Sequence, residues 1–344
     1  MEEDLNARAR HLLRVLIGQY IEAGEPVGSK TLARHSGLKL SPATIRNVMS
    51  ELEAEGYIQS PHTSAGRIPT AQGYRFFVDR LVTIEPLESG TSEKIEERLA
   101  EPRPVSSVID DASETLSALT NFVGVVMVPK REVFGFKHID FVPVDSEQLL
   151  AIIVFQDGEV QNRIIRMDRP YDPKHLEKAA NFLNQGFAGL SLLDIRTRLI
   201  EELVTSQQEI DRHLQSAIEL ARTAFGANSG PDVVLRGQTN LMGCDELSDV
   251  DKLKSLFDAF QEKRDILNLL DRTASAEGVQ VFIGEETDNK ALQPVSLVSA
   301  PYSVDGRVVG VLGVIGPTRM AYQRVISVVD TTAKILSSVL NQSS

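Results

Sequence analysis

The side chains with the clearest chemical potential lie in one helix that the sequence predicts between Pro42 and Gly56. One face of this helix would carry small or hydrogen-bonding residues and a single arginine, namely Ala43, Thr44, Arg46, Asn47 and Ser50. Short side chains allow close approach to the DNA major groove, where Arg can bond guanine or phosphate and Asn can pair with adenine. The opposite face would be a buried apolar stripe of Ile45, Val48, Met49 and Leu52. The pattern therefore predicts a recognition helix.

The residues before this helix place it in a helix-turn-helix. Ser41 is a good N-cap residue, and Pro42 suits the first helical position because its missing N–H has no partner there. Gly37 suits the end of a short preceding helix. Apolar residues at spacings of three and four predict a longer first helix, which Gly24 ends. Two helices joined by a tight turn, with a recognition face on the second, describe a helix-turn-helix.

A β-hairpin is predicted directly after the recognition helix. The sequence YIQSPHTSAGRIPT alternates apolar and polar residues, turns at Thr63–Gly66 and returns through Arg67. A hairpin at this place is the wing of a winged helix. We expect Arg67 at its tip, where a guanidinium can contact phosphate or enter the minor groove. The same three helices and hairpin are also compatible with a protein-interaction module that does not bind DNA.

The negative charge of the chain is distributed unevenly along the sequence. The 344 residues include 36 Lys+Arg and 48 Asp+Glu, and a net charge of −12 alone argues against a nucleic-acid partner. The first 82 residues carry +1, however, and the remainder carries −13. Pro26–Ser50 and Gly56–Arg75 contain no carboxylate at all. Phosphates would repel the acidic remainder, which disfavours non-specific adhesion and leaves DNA binding to the first domain.

Length and composition predict two or three domains in a reducing compartment. The only cysteine, Cys244, excludes a disulfide, a Cys-rich zinc site and a CxxC redox pair. The amino terminus lacks the apolar segment of a signal peptide. The longest apolar runs, Val123–Pro129 and Val308–Ile315, are far shorter than the roughly 20 residues that span a membrane. We therefore expect a cytoplasmic protein without a membrane segment.

No motif points to catalysis. Gly310–Gly316 (GVLGVIG) lacks the GxGxxG spacing of a phosphate loop and is interpreted as a tight strand edge. The histidines have no carboxylate at metal-ligand spacing, and the sequence contains no Gly-x-Ser-x-Gly motif. We expect no enzyme activity, no metal and no cofactor.

Strands interrupted by helices and then resumed predict an α+β domain with an inserted unit. Strands are expected near residues 123–128, 136–142, 149–155, 160–167, 279–283, 296–302 and 308–315. Helices are expected at Ser92–Leu99 and at about 319–340, with a mostly helical stretch at about 172–226. Within that stretch, apolar residues approximate a heptad seam at Leu203, Ile210, Leu214, Ala217 and Ala221. Such a seam fits either an ordinary amphipathic helix or an interface with a second chain.

The string SPATIRNVMSELEAEGYIQSPHTSAGRIPTAQGYRFFVDRL resembles the amino-terminal domain of the HrcA family of heat-inducible transcription repressors. The resemblance implies an α+β multidomain fold, with an N-terminal winged helix-turn-helix and then a GAF-like α/β domain interrupted by an inserted dimerisation unit. The expected boundaries are 1–82 for the winged helix, 83–107 for a linker, 108–146 and 227–344 for the GAF-like domain, and 147–226 for the inserted unit.

The same resemblance implies a dimeric, sequence-specific repressor of chaperone operons. It would bind the CIRCE inverted repeat in double-stranded DNA, lose activity on heat or misfolding stress, and regain it through the GroE chaperonin. We expect base-edge contacts from Ser41, Ala43, Thr44 and Asn47, and phosphate contacts from Lys30, Arg46 and His62. Thr63, Ser64, Gly66 and Arg67 would form the wing. The alternative is a small-molecule-responsive regulator that senses an effector through the GAF-like domain.

Overall fold

The computed structural model describes residues 5–61, 66–84, 86–101, 103–129, 135–145, 147–156, 158–166, 172–191, 194–195 and 232–342. The helices of these residues are α1 (Ala7–Ala23), α2 (Ser29–His35), α3 (Pro42–Ala54), α4 (Ala71–Phe76), α5 (Ser89–Leu99), α6 (Val105–Thr120), α7 (Pro173–Phe187), α8 (Val250–Glu262), α9 (Arg264–Ala274) and α10 (Tyr322–Gln342). The strands are β1 (Ile58–Gln59), β2 (Ile68–Pro69), β3 (Val123–Val128), β4 (Phe136–Pro143), β5 (Gln148–Phe155), β6 (Val160–Arg166), β7 (Asp232–Arg236), β8 (Gln280–Ile283), β9 (Val295–Val304) and β10 (Arg307–Pro317).

The amino-terminal domain consists of α1 to α4 and the antiparallel hairpin β1–β2. Helix α1 ends at Gly24, whose φ of 72° lets its N–H bond to the carbonyl of Tyr20. The three predicted helices and the hairpin are thus confirmed. Helix α4 continues as a single π-helical turn, Phe77–Leu81, which leads out of the domain.

A five-stranded antiparallel sheet in the order β7-β3-β10-β9-β8 forms the centre of the second part of the chain. Helices α6 and α10 cover one face of this sheet, and α8 and α9 cover the other. The side chains of β3 alternate between the two cores, with Val125 on one side and Val126 on the other. A sheet packed between helices in this way agrees with the expected GAF-like domain.

A separate three-stranded sheet, β4-β5-β6, is covered by α7 on one face. Asn184 of α7 fixes this packing, because its side-chain amide accepts from the N–H of Ile139 at 2.8 Å and donates to the carbonyl of Ile139 at 3.1 Å. The expected boundary between residues 146 and 147 is wrong, since β4 and β5 pair along their length on either side of it. The separate sheet already begins at Phe136, on the strand that was assigned to the GAF-like domain.

Three further expectations need correction or addition. Gly310–Gly316 lies in β10, which pairs with both β3 and β9 and is therefore the middle strand and not an edge. The short helix expected at Ser92–Leu99 within the 83–107 segment is confirmed as α5, and its Ile95 and Leu99 are buried against neighbouring helices. Strand β7 and helices α8 and α9 were not predicted. The proposed seam from Leu203 to Ala221 lies outside the described residues, as does most of the predicted helical stretch after α7.

No helix among the described residues is both long and apolar enough to cross a membrane.

The closest packing between β3 and α6 depends on Gly124. A Cβ atom at this position would lie 1.9 Å from the backbone carbonyl oxygen of Ser113, which cannot move without shifting α6. The Ser113 hydroxyl also donates to the Gly124 carbonyl at 2.9 Å, which holds the two segments together. The absence of a side chain is therefore a steric requirement of this contact.

Gly124→Ala should lower the free energy of unfolding by about 1–3 kcal/mol through overpacking. The matched control is Gly186→Ala on α7, where a Cβ would meet nothing within 4 Å and Ala favours the helix. Urea unfolding followed by circular dichroism compares the two variants. Equal stability of both variants would contradict the close packing of β3 on α6.

Candidate nucleic-acid interface

Helix α3 is held in place by its capped start and its buried stripe. The hydroxyl oxygen of Ser41 accepts a hydrogen bond from the N–H of Thr44 at 3.2 Å, and Pro42 occupies the first turn. Ile45 and Leu52 are fully buried, and Val48 and Met49 are nearly so. The stripe packs α3 against α1 and α2. The predicted cap, stripe and orientation of this helix are all confirmed.

The opposite face of α3 is open to solvent, as a recognition face requires. Ala43, Arg46, Asn47 and Ser50 are exposed, and Thr44 is half-buried. The Arg46 guanidinium and the Asn47 amide are exposed and make no hydrogen bond to another described residue. The Ser50 hydroxyl instead donates to the carbonyl of Arg46 at 3.0 Å. Residues 43–47 span little more than one helical turn, so the Thr44 hydroxyl, the Arg46 guanidinium and the Asn47 amide lie close together on α3.

The charged side chains around this face are arranged so that the carboxylates lie away from the start of α3. Lys30 is exposed on α2, which packs against α3. The three carboxylates of α3 and its C-cap, Glu51, Glu53 and Glu55, lie at the far end from Ser41. Because the N-terminal end of a helix is also the positive end of its dipole, negative phosphates are favoured there. The first turns of α3 therefore offer the more favourable electrostatic environment for DNA.

The base of the predicted wing is present, whereas His62, Thr63 and Ser64 lie outside the described residues. Strands β1 and β2 pair through Ile58 with Pro69 and Gln59 with Ile68. Gly66 lies against the α1–α2 connection, since a Cβ there would come within 2.6 Å of the backbone oxygens of Pro26 and Val27. A residue without a side chain is thus needed at position 66, where the chain packs closely against Pro26 and Val27.

The expected position of Arg67 at the wing tip is wrong. Its backbone N–H and carbonyl both bond to Val27 at 2.9 Å, so the residue, next to β2, is held against the connection between α1 and α2. Its guanidinium lies 2.8 Å from Glu53 at the end of α3 and donates to the hydroxyl of Ser60 at 3.2 Å. Arg67 therefore ties the wing to the recognition helix. The sequence offered no local signal for this pair, because the two residues are 14 positions apart.

A metal or nucleophile site would require clustered ligands or an activated side chain among the remaining titratable groups of the described part of the chain. The described residues contain no group of three His, Cys, Asp or Glu side chains that could hold a metal ion. Burial and the nearby Glu246 raise the pKa of the Cys244 thiol, which favours its unreactive protonated form.

The ion pair between Arg67 and Glu53 predicts a salt effect on duplex binding. Glu53→Gln should free the guanidinium for phosphate, raise affinity for any duplex and steepen the slope of log K against log salt by about 0.9. Glu55→Gln removes the same charge from an exposed side chain two residues away and controls for net charge. Fluorescence anisotropy at several salt concentrations measures both. Identical slopes for the two variants would show that Arg67 does not reach phosphate when freed.

Two sequence models match nearly the whole length of the chain. Residues 4–80 match the winged helix-turn-helix transcription repressor, HrcA DNA-binding model, and residues 106–326 match the HrcA protein C terminal domain model. The heat-inducible transcription repressor HrcA of Xanthomonas campestris pv. campestris is 53% identical over 336 residues, which cover 98% of this chain and 96% of that protein. The repressor of the same name from Xylella fastidiosa strain 9a5c is 50% identical over the same shares of each chain.

A solved structure shares the fold. A crystal structure described as that of a hypothetical protein at 2.2 Å resolution aligns with a TM-score of 0.65 at 24% identity, over 99% of this chain and 100% of that one. The winged helix-turn-helix followed by a mixed helix-and-sheet region is thus an observed architecture. The chain belongs to the HrcA family of heat-inducible transcription repressors, and its amino-terminal domain is the family's DNA-binding domain.

Proposed function

We propose that this family member represses chaperone operons by binding the CIRCE inverted repeat as a homodimer. The observation that carries the proposal is the exposed face of α3, which presents Arg46 and Asn47 free of other described partners on a helix anchored by a buried stripe. No carboxylate lies in the first turns of that helix. One recognition helix contacts only a few base pairs, so two helices related by a twofold axis are needed to read an inverted repeat tightly.

The proposed contacts divide into two kinds. Ser41, Ala43, Thr44 and Asn47 would contact base edges and carry the sequence preference. Lys30, Arg46 and His62 would contact phosphates, which supplies affinity with little sequence preference. Thr63, Ser64 and Gly66 would shape the wing. Arg67 would contact a phosphate by giving up its ion pair with Glu53.

Substitutions at neighbouring positions of α3 separate the two kinds of contact. Asn47→Ala should weaken binding to the inverted repeat by about 1–3 kcal/mol and leave binding to scrambled duplex nearly unchanged. Arg46→Ala should weaken binding to both duplexes by similar factors and flatten the salt slope by about one. Gel-shift titration on the two duplexes gives all four affinities.

The matched control for charge is Arg98→Ala, which removes an arginine that pairs with Glu114 and lies on α5, outside the winged-helix domain. It should leave both affinities unchanged. The repressor proposal fails if the wild-type protein shows no preference for the inverted repeat over the scrambled duplex. The assignment of Asn47 fails if its variant loses affinity equally on both duplexes.

The homodimer is supported by an open apolar face on the β4-β5-β6 sheet, opposite α7. Val142, Val160 and Ile164 are 43%, 56% and 65% exposed on this face. The register places Ile164 beside Leu150 and Leu150 beside Val142, which gives a continuous apolar row across the three strands. Val160 lies on the same face but is separated from this row by the exposed Asn162. An exposed apolar row is typical of an interaction surface. The seam proposed at Leu203, Ile210, Leu214, Ala217 and Ala221 belongs to the same inserted unit.

Ile164→Glu should convert the dimer into a monomer, because it would bury a carboxylate in an apolar interface. The control is Val250→Glu at the start of α8, where the native side chain is 77% exposed. Light scattering at micromolar concentration should give a monomer mass for the first variant and a dimer mass for the second. A wild-type monomer would contradict the dimer, and a dimeric Ile164→Glu variant would contradict this interface.

The remaining parts of the proposal are supported by family membership. Heat or misfolding load would remove active repressor, the GroE chaperonin would restore it, and the protein would act in the cytoplasm without catalysing a reaction. We propose a winged-helix domain at 1–82, a connecting segment at 83–107, and a GAF-like domain on both sides of an inserted unit. The pairing of β4 with β5 supports a start of that unit at or before Phe136.

A further inference from the structure

The winged-helix domain is attached to the GAF-like domain by more than the connecting segment. Helix α4 lies against β8, which is an edge strand of the five-stranded sheet. The buried residues of the two domains form one continuous apolar cluster across this border. A cleft of about 500 Å³ remains open beside these contacts, with Gln59 and Lys252 among the residues that line it. Two arginines add polar contacts to this apolar packing.

The first of these contacts is made by Arg75 of α4. Asp79, one turn later, pairs with its guanidinium and directs it across the border. Arg75 Nη1 then donates to the backbone carbonyl of Val281 in β8 at 2.7 Å and lies 3.4 Å from the Glu286 carboxylate. Glu286 also accepts from the N–H of Ile283 at 2.9 Å. The arginine and the glutamate together satisfy polar groups at the outer edge of β8, where no other strand of the described residues pairs.

The second contact runs in the opposite direction. Arg319, which precedes α10 in the GAF-like domain, donates from Nη1 to the carbonyl of Ile21 at 3.1 Å. Ile21 lies in the last turn of α1, where helix carbonyls lack intrahelical partners. Glu246 pairs with the same guanidinium and holds it in place. Each domain thus sends one arginine to a backbone carbonyl of the other.

A buried aromatic pair lies between the two arginines. The rings of Tyr74 from α4 and Tyr322 from α10 are 5.8 Å apart, and both residues are buried. Tyr322 is bonded through its hydroxyl to Ser296 and Thr318. The Tyr74 hydroxyl, in contrast, is buried with no partner among the described residues. Tyr74 therefore contributes apolar packing to the junction, and the two arginines contribute its polar contacts.

The recognition face of α3 stays exposed in this docked arrangement. A dimer with docked winged helices would therefore present two recognition helices at one fixed separation and angle. Each base pair added between the half-sites increases their distance and rotates one half-site about the duplex axis relative to the other. About ten base pairs complete one helical turn. Rigid domains would accept one spacing, whereas freely tethered domains would accept several.

We propose that Arg75 and Arg319 are positioning residues that set the spacing of operator half-sites by fixing the winged-helix domain against the GAF-like domain. The proposal rests on the proposed binding of an inverted repeat by a dimer. Neither arginine needs to contact DNA for this role. The specificity that they supply is for the distance between half-sites and not for the bases within them.

The test measures dissociation constants for three duplexes with the full chain and an Arg75→Ala/Arg319→Ala variant. The duplexes are the natural inverted repeat, the same repeat with five base pairs inserted between half-sites, and a single half-site. The insertion rotates one half-site by about half a turn, so wild-type affinity should fall at least about tenfold. The double variant should lose no more than about threefold on the insertion, because its winged helices can reorient. Both proteins should bind the single half-site equally.

An Arg103→Ala/Arg236→Ala variant is the matched control, since it removes two arginines that pair with Asp111 and Asp110 within the second part of the chain. It should keep the wild-type dependence on spacing. Should the first double variant fail to fold, Glu246→Gln/Glu286→Gln weakens the same two contacts without shortening a side chain and carries the same expectation.

The outcomes separate the two proposals. A wild-type chain without preference for the inverted repeat over scrambled duplex overturns the proposed function. A wild-type chain that prefers the repeat, combined with the same tenfold loss in the double variant, overturns the positioning role. Weaker binding of the double variant to the single half-site would assign the arginines to DNA contact and also overturn it.

Discussion

The burial of one face of α3 is the constraint on which the rest of this structure depends. A helix with 3.6 residues per turn can place an apolar stripe on one side only, and Ile45 and Leu52 are fully buried on that side. The side chains between them, including Arg46 and Asn47, must then point to solvent. Helices α1 and α2 supply the surface against which the stripe packs. The wing is tied to the same helix through Arg67 and Glu53. DNA recognition and domain packing are thus two faces of one element.

The distribution of charge extends this constraint to the whole molecule. The excess of carboxylates lies outside the first 82 residues, which carry +1 against −13 in the remainder. DNA phosphates repel the acidic remainder, so the near-neutral winged-helix domain is the part of the chain that can approach a duplex. The polar junction at Arg75 and Arg319 holds that domain while its recognition face remains exposed. The distribution of charge and the attachment of the winged-helix domain therefore both favour contact of α3 with DNA.

Local patterns were sufficient to predict the elements that are defined by neighbouring residues. The cap at Ser41, the stripe of α3 and the strand Val123–Val128 all follow from spacing within a few residues. Helices α8 and α9 also carry apolar residues at helical spacing, including Leu253 and Leu256, so the sequence holds a local signal for them. Short β7 offers only five residues and lacked a comparable pattern.

Contacts between distant residues could not be predicted in the same way. Arg67 bonds to Val27 and Glu53, and Arg75 bonds to Val281 more than 200 positions away. The central position of β10 likewise depends on two distant strands. Gly313 in this strand leaves space for the carbonyl of Val298, 2.5 Å from where a Cβ would lie. The glycine pattern was visible, but its cause belongs to sheet order and not to local sequence.

Amide hydrogen exchange of the full chain, with and without an inverted-repeat duplex, tests the central claim most directly. The account predicts that the duplex adds protection to α3 and the β1–β2 hairpin. Amides of α4 and α10 near Tyr74 and Tyr322 should exchange slowly in both samples, because the junction is already buried without DNA. Added protection confined to the GAF-like domain, with α3 unchanged, would contradict the account.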